Sequence, residues 1–125
     1  MYRSRLGTDL SDITLDYVSS INDDSQIALY DILGSQAHTL MLYENKIITK
    51  NDVKKILSAL ESLKNEKFDV SSGAEDIHEL IETLVIKKAG MTSGGKMHTA
   101  RSRNDQVTLD IRMKIRDDIN IICNC

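Results

Sequence analysis

The 125-residue chain contains no proline and no tryptophan, and its aromatic residues are four tyrosines and one phenylalanine. Proline-rich turns are typical of β-sandwiches, so their absence, together with abundant leucine, isoleucine, lysine and glutamate, favours helices. Hydrophobic residues make up 41% and charged residues 28% of the chain, which is typical of folded proteins and excludes a disordered one. We therefore expect an all-α protein about one domain long.

The chain also lacks an excess of positive charge, because its formal net charge is −3. Nucleic acid is not expected as a partner, since phosphate backbones are bound by basic faces. No apolar run has the length of a signal peptide or a membrane span, so we expect no membrane partner and a cytoplasmic protein. Cysteine occurs only at Cys123 and Cys125. A tetrahedral metal site needs a further ligand pair, so we expect reduced thiols and no metal.

Apolar residues recur at helical spacing along most of the chain. Polar start signals divide this pattern, because their side-chain oxygens accept bonds from unpaired helix N–H groups. A capping box is predicted at Thr49 and Asp52, a cap at Ser71 or Ser72, and a terminator at Gly90. The first predicted helix covers residues 11–20, and the second runs from a cap within 22–25 to about residue 44. A third helix follows Thr49, a fourth follows Ser71 or Ser72, and a fifth runs from near Ser102 to the end.

The last predicted helix carries an apolar face that we call the seam, formed by Val107, Ile111, Ile115, Ile119 and Ile122. No other part of the sequence offers an obvious partner for it. Contiguous apolar surface usually marks an interface, so the seam predicts self-association into a dimer or a larger oligomer. We divide the chain into a helical domain over residues 1–101 and the first part of a long helix over 102–125.

The stretch "MHTARSRNDQV" at residues 97–107 is the most concentrated basic polar cluster of an otherwise acidic chain. A helix that begins near Ser102, capped by Ser102, Asn104 or both, would have unpaired N–H groups in its first turn, and such groups attract anions. Arg101 and Arg103 add guanidinium groups that match a carboxylate or phosphate in two-point geometry. Asp105 is placed to hold one of the two arginines. The residues alone leave two interpretations open: an anion-binding site, or a capped and solvated loop.

Two further features could carry chemistry. Glu75, His78 and Glu82 share one helical face, where they could form an acid–base or metal constellation; a structural network with His78 fixed by a neighbouring carboxylate is the favoured reading. His38 lies mid-helix beside apolar residues and is read as a packing residue. Gly34 interrupts the same helix at a cost of up to about 1 kcal/mol, which close packing or ligand approach would justify.

The stretch "GGKMHTARSRNDQV" closely resembles the H-T-G-R-S-R-N-D-Q-V signature of argininosuccinate lyase. The segments "RSRL", "SINDD", "YDILGSQAHTLML" and "EDIHELIE" resemble that family in order and spacing, so the resemblance covers essentially the whole chain. Fumarases and aspartases more often read S-S-N-D, and Arg103 favours argininosuccinate over these sister lyases. Ala100 departs from the family's usual glycine, so a backbone angle reserved for glycine is not expected there.

The resemblance implies the N-terminal helical domain of the fumarase/aspartase-like lyase fold and the start of a central-bundle helix. It implies a β-elimination that splits argininosuccinate into arginine and fumarate, in arginine biosynthesis, without a cofactor or metal. Arg103 and Asn104 would bind a substrate carboxylate, and Ser20 and Asp24 the amino-acid end of the arginine moiety. The supporting residues would be Thr99, Arg101 and His78.

The family's general base and acid are carried by later segments that these 125 residues do not contain, so the resemblance implies no catalytic residue here. Family members are homotetramers whose sites combine three subunits. We therefore expect the 125 residues alone to be inactive. The alternatives are a sister fumarate-forming lyase and a non-catalytic helical module that binds anions or associates through the seam.

Overall fold

A computed structural model describes residue 17 and residues 19–68 and 74–125. The predicted helix over 11–20 falls almost wholly outside these residues. The described part contains helices and turns and no strand, which confirms the all-α prediction. The helices are α1 (Ile21–Asp24), followed by a 3-10 turn (Ser25–Ile27), α2 (Ala28–Glu44), α3 (Lys50–Leu63), α4 (Ile77–Ala89), α5 (Met91–Gly94) and α6 (Arg103–Cys123).

The predicted start signals succeed at α3 and α6. Thr49 and Asp52 form the expected capping box, in which Asp52 N–H donates to Thr49 Oγ1 at 3.2 Å and Thr49 N–H to Asp52 Oδ2 at 3.1 Å. Ser102 caps α6 by accepting from the Asn104 N–H at 3.2 Å. Both caps satisfy N–H groups that the helix itself leaves unpaired.

Two other predicted starts were wrong. The cap of α4 is Asp76, not a serine at 71 or 72, because Asp76 Oδ1 accepts the Glu79 N–H at 2.6 Å. The polar run at 22–25 does not cap α2 but lies in α1 and the 3-10 turn, and α2 follows Ile27 without a side-chain cap. Short polar side chains are compatible with several turn types, so the sequence alone did not distinguish a cap from a turn.

The core lies between α2, α3 and α4. From α3 it takes Val53, Ile56, Leu60 and Leu63, and from α4 Ile77, Leu80, Ile81 and Val85, all of them buried. Ile32 and Leu42 of α2 complete its centre. Each such side chain contributes about 1.5–3 kcal/mol when it leaves water, so these three helices form the stable frame of the described chain. None of the described helices is long and apolar enough to cross a membrane.

The contact of α6 with this frame is polar. Gln106 and Asp110 are its buried residues, and Tyr30 Oη of α2 donates to Asp117 Oδ2 at 2.9 Å. Gly34 of α2 permits the close approach, because an added Cβ would lie 3.2 Å from Leu109 Cδ2 and 3.3 Å from Asp110 Oδ1. The close packing expected at this glycine is therefore confirmed.

Residues 90–102 connect α4 to α6 as a structured segment of helix and turns. Gly90 ends α4 with φ of 83°, as predicted, and α5 and successive turns follow. Buried Asp52 holds this segment against α3, since Ser93 Oγ and Lys96 Nζ each donate to its carboxylate at 2.8 Å. These hydrogen bonds hold the pKa of Asp52 well below its usual range. The expectation about Ala100 was wrong, because it adopts φ of 56°, a left-handed conformation that favours glycine.

Candidate functional site

The two arginines of the 97–107 stretch turn towards different helices. Arg101 Nη1 donates to Ser35 Oγ of α2 at 2.9 Å. Arg103 lies against α4, with Nε 3.6 Å from Asp76 Oδ2 and Nη2 3.8 Å from Glu82 Oε2. Neither arginine forms an ion pair or hydrogen bond with Asp105, the partner expected from sequence. Arg103 thus joins α6 to α4, and Arg101 joins the connecting segment to α2.

The neighbouring predicted site residues take up positions around these arginines. Asn104 is exposed in the first turn of α6. The carbonyl oxygen of Thr99 accepts from His38 Nε2 at 2.9 Å, if that nitrogen carries the proton. His38, read as a packing residue, is therefore also a polar contact between α2 and the connecting segment. The structure places Asn104 on the same turn as Arg103, and Thr99 beside Arg101.

Ser20 and Asp24 belong to the opposite end of the chain, and the fold brings them to the start of α4. The Ser20 N–H donates to the Glu75 carbonyl oxygen at 3.0 Å, one residue before Asp76, which faces Arg103. Ser20 Oγ donates to Asp24 Oδ2, so the two side chains form a pair. The start of α4 is thus the common neighbour of the two groups for which the family resemblance implies substrate binding.

His78 is buried among carboxylates, as expected, but not with those of its own helix. Its Nδ1 lies 3.3 Å from Asp31 Oδ1 of α2 and 3.5 Å from Asp110 Oδ2 of α6. These are ion-pair distances without hydrogen-bond alignment, since Nδ1 has no bonded partner. The carboxylates next to His78 are therefore not Glu75 and Glu82 of its own helix, although a carboxylate neighbour of His78 was correctly predicted.

The electrostatics of this cluster follow from its burial. Burial and the nearby Asp31 carboxylate together raise the pKa of Asp110 to about 7, against the positive charges of His78 and Arg101. Burial opposes charging of His78, but the Asp31 contact and the charges of Asp31, Asp76 and Asp110 outweigh it and raise the His78 pKa. Asp110 is therefore partly protonated near neutral pH, which limits the cost of placing two carboxylates together out of water.

Asp31, His78 and Asp110 are the described residues that could hold a metal ion, since one ligand atom from each lies within 4.8 Å of the others. Asp31 Oδ1 already accepts from Gln106 Nε2 and Ser35 Oγ, and Arg101 adds positive charge nearby. We therefore describe the cluster as a buried ion-pair network and assign no metal to it.

Sequence reasoning missed Asp31, Ser35, Gln106 and Asp110. A signal was present, because polar residues recur four positions apart at Asp31, Ser35 and Thr39 on α2, all fully buried, and at Gln106 and Asp110 on α6. Four-residue spacing places such side chains on one helical face. A buried polar stripe on each of two helices indicates that the stripes face each other, but only the packing identifies the partner.

A protein-family model described as a lyase matches residues 10–124. The chain belongs to the lyase family. This lyase chain is 84% identical, over all of its 125 residues, to the argininosuccinate lyase of Nitrosopumilus maritimus. It is 49% identical over 116 residues to the argininosuccinate lyase of Methanothrix thermoacetophila, and 41% over 123 residues to that of Methanocaldococcus jannaschii. The resemblance found in the signature segments is thereby confirmed.

The lyase chain corresponds to only part of these relatives. The three matches include 100%, 93% and 96% of this chain, but only 26%, 23% and 25% of the respective relatives. The chain therefore spans about a quarter of the length of the curated relatives it matches.

Proposed function

We propose that this chain contributes part of the substrate site of an enzyme that cleaves argininosuccinate to arginine and fumarate by β-elimination. The observation that carries the proposal is the 84% identity, over the whole chain, to a protein named argininosuccinate lyase. The arrangement of Arg103 and Asn104 at the start of α6 supports it, since unpaired N–H groups and a guanidinium favour a carboxylate there. The favoured setting is arginine biosynthesis in the cytoplasm.

In this proposal Arg103 and Asn104 bind a substrate carboxylate, and Ser20 with Asp24 binds the amino-acid end of the arginine moiety. Asp24 suits an ammonium or guanidinium group, and Ser20 either donates or accepts a hydrogen bond. Arg101, Thr99 and His78 support these groups. Arg103 is 34% exposed and lies against two carboxylates, so a substrate carboxylate would compete with Asp76 and Glu82 for its N–H groups.

The elimination removes a proton next to a carboxylate and then expels the guanidino nitrogen of the arginine moiety. Negative charge grows on that carboxylate in the transition state, and donors already fixed in place stabilise it without reorganising. Arg103 would act in this way. We assign no general acid or base to residues 1–125, and we propose that other segments of a longer homotetrameric enzyme supply them, with residues 1–101 as a helical domain and 102–125 as the first part of a bundle helix.

The seam on α6 is the proposed surface for self-association. Its isoleucines are exposed, with Ile111 at 44%, Ile115 at 51%, Ile119 at 53% and Ile122 at 72%. Burial of such residues against a second copy would release about 25 cal/mol for each Å² of apolar surface. We expect the 125-residue chain to sediment as a dimer or larger species, and Ile115→Asp with Ile119→Asp to shift it to a monomer. A wild-type chain that sediments only as a monomer would contradict this proposal.

The substrate role can be tested in a chimera, because residues 1–125 can replace the matching region of the Nitrosopumilus maritimus relative. We expect the chimera to release fumarate from argininosuccinate, followed by ultraviolet absorbance, whereas the 125 residues alone should release none. Arg103→Gln should lower kcat about 100-fold or more, as removal of one fixed donor to a developing negative charge does.

A matched control is Lys54→Gln, which removes an exposed cation of α3 far along the chain from the proposed site and should leave the rate unchanged. An inactive chimera with a folded tetramer, or equal losses in Arg103→Gln and Lys54→Gln, would count against the assignment. Fumarate release from aspartate or malate instead of argininosuccinate would support the sister-lyase alternative.

A further inference from the structure

Asp31 lies at the centre of the polar contact between α2 and α6. It is fully buried, and its Oδ1 accepts hydrogen bonds from Gln106 Nε2 and, at 3.5 Å, from Ser35 Oγ. His78 Nδ1 lies 3.3 Å from the same oxygen. The proposed substrate role uses none of Asp31, Ser35 or Gln106.

Each of the two side chains that donate to Asp31 also accepts a hydrogen bond from one arginine of the 97–107 stretch. Gln106 Oε1 accepts from Arg103 Nη1 at 3.1 Å, and Ser35 Oγ accepts from Arg101 Nη1 at 2.9 Å. One carboxylate is thus connected to both arginines through a single intervening side chain in each case.

The direction of these contacts is set by chemistry. A carboxylate only accepts, so the amide of Gln106 must turn its NH₂ to Asp31, and its oxygen is then left for Arg103. A serine hydroxyl has one proton, so donation to Asp31 leaves its lone pairs for Arg101. The reverse orientation of the amide would bring NH₂ against a guanidinium that itself can only donate.

Burial makes the orientation of the Gln106 amide and the Ser35 hydroxyl energetically important. Gln106 is 1% exposed and Ser35 is fully buried, so water cannot replace a misdirected hydrogen bond. A buried polar group left without a partner is costly, so each side chain is held in one orientation.

We propose that Asp31 is a positioning residue, which directs the Gln106 amide and the Ser35 hydroxyl and thereby fixes the guanidinium groups of Arg103 and Arg101. This inference deepens the proposed function and rests on it in one respect, namely that Arg103 binds a substrate carboxylate. Asp31 itself touches no substrate in this scheme.

The test uses the 125-residue chain labelled with ¹⁵N, with succinate as a dicarboxylate probe. The Nε–Hε resonances of Arg103 and Arg101 report the order of each guanidinium, and titration gives the dissociation constant of succinate. Asp31→Asn and Gln106→Met should each broaden or shift the Arg103 resonance and weaken succinate binding about tenfold, the value of one charge-assisted hydrogen bond. The matched control is Asp118→Asn, which replaces an acid of α6 that is paired with Lys114 and should change neither readout.

The double variant that combines Asp31→Asn with Gln106→Met separates positioning from general disruption of the fold. If Asp31 acts on Arg103 through Gln106, the double variant should weaken binding about tenfold and not about a hundredfold, because residues of one network are not additive. An additive loss, or an unchanged Arg103 resonance in folded Asp31→Asn, would overturn the proposal. If Asp31→Asn does not fold, branch variants decide. Gln106→Met should disturb Arg103 alone and Ser35→Ala should disturb Arg101 alone, and disturbance of both arginines by both variants would refute separate branches.

A failure of the proposed function would give a different result from a failure of the positioning role. If the wild-type chain binds no succinate, the carboxylate role of Arg103 in this chain is contradicted, while the two arginine resonances still decide whether Asp31 positions them.

Discussion

Helices α3 and α6 have similar apolar periodicity in sequence but opposite relations to the core. In α3 the apolar face is buried and the polar face meets solvent, with Ile56, Leu60 and Leu63 fully enclosed. In α6 the isoleucines of the seam are exposed, while the polar Gln106 and Asp110 are buried against α2. Periodicity therefore reports that a helix has an apolar face, and it does not report which face the described chain covers.

The difference also separates two kinds of stabilisation. The α3 contact is apolar, so it depends on area and close packing and is insensitive to pH. The α6 contact depends on directed hydrogen bonds and on buried charged groups, so it specifies orientation more than it adds free energy. An orientation-specific contact is what the placement of two arginines requires.

The largest effect is expected from the apolar contact. Leu60→Ala should lower the free energy of unfolding by about 2–5 kcal/mol, because it leaves a cavity in a fully packed site. Urea unfolding followed by circular dichroism measures this loss. Leu57→Ala, at a half-buried position of the same helix, is the control and should lose clearly less; equal losses would contradict the core assigned to α3.

The polar contact should instead respond to pH. The Asp110 pKa is raised to about 7 by burial and by Asp31, so the folded chain binds a proton that the unfolded chain has released above its ordinary value of 3.8. Stability therefore falls as pH rises through this range. His78, whose pKa is raised above 6.5, contributes fully below that value and loses its contribution as pH rises through the folded pKa.

The groups that face Asp110 are Asp31 of α2, His78 of α4 and Arg101 of the connecting segment. Asp110→Asn should flatten the fall in urea midpoint between about pH 5 and about pH 8, since the amide does not titrate there. Leu60→Ala should shift the whole curve without changing its slope. A slope in Asp110→Asn equal to that of the wild type would show that the cluster does not hold the proton.

A smaller effect is expected from the segments that lead into the two helices. Lys46 precedes α3 and Ala100 precedes α6, and both have positive φ, of 60° and 56°. Glycine tolerates this conformation, so Ala100→Gly and Lys46→Gly should each raise the free energy of unfolding by about 1 kcal/mol. Thermal unfolding measures the gain, and a loss at Ala100 would show that its strained conformation is not maintained.

The smallest effect on folding is expected at the seam. Ile115→Ser should change the free energy of unfolding by less than about 0.5 kcal/mol, because the side chain is already exposed. The measurement must be made at a dilution at which the chain is monomeric, so that self-association does not add to stability. A loss as large as that of Leu60→Ala would mean that the seam packs within its own chain.

Much of the fold was predictable because local chemistry decides it. The capping box at Thr49 and Asp52, the cap at Ser102 and the end of α4 at Gly90 each depend on residues a few positions apart. The signature stretch likewise identified the family by its residues alone. The start of α4 was not predictable, since Ser71, Ser72 and Asp76 are all acceptable caps and packing selects among acceptable caps.

The sequence by itself determined the all-α class, the apolar faces of the helices and the family, since these follow from residue type and short-range spacing. Only the tertiary structure decided that His78 meets Asp31 and Asp110, that Arg101 and Arg103 turn to different helices, and that α6 presents its polar side to the core. The contact of Arg101 with Ser35, for example, joins residues 66 positions apart. No local propensity encodes such a pairing, and it arises only when the packing of α2 and α4 leaves a polar surface that α6 covers.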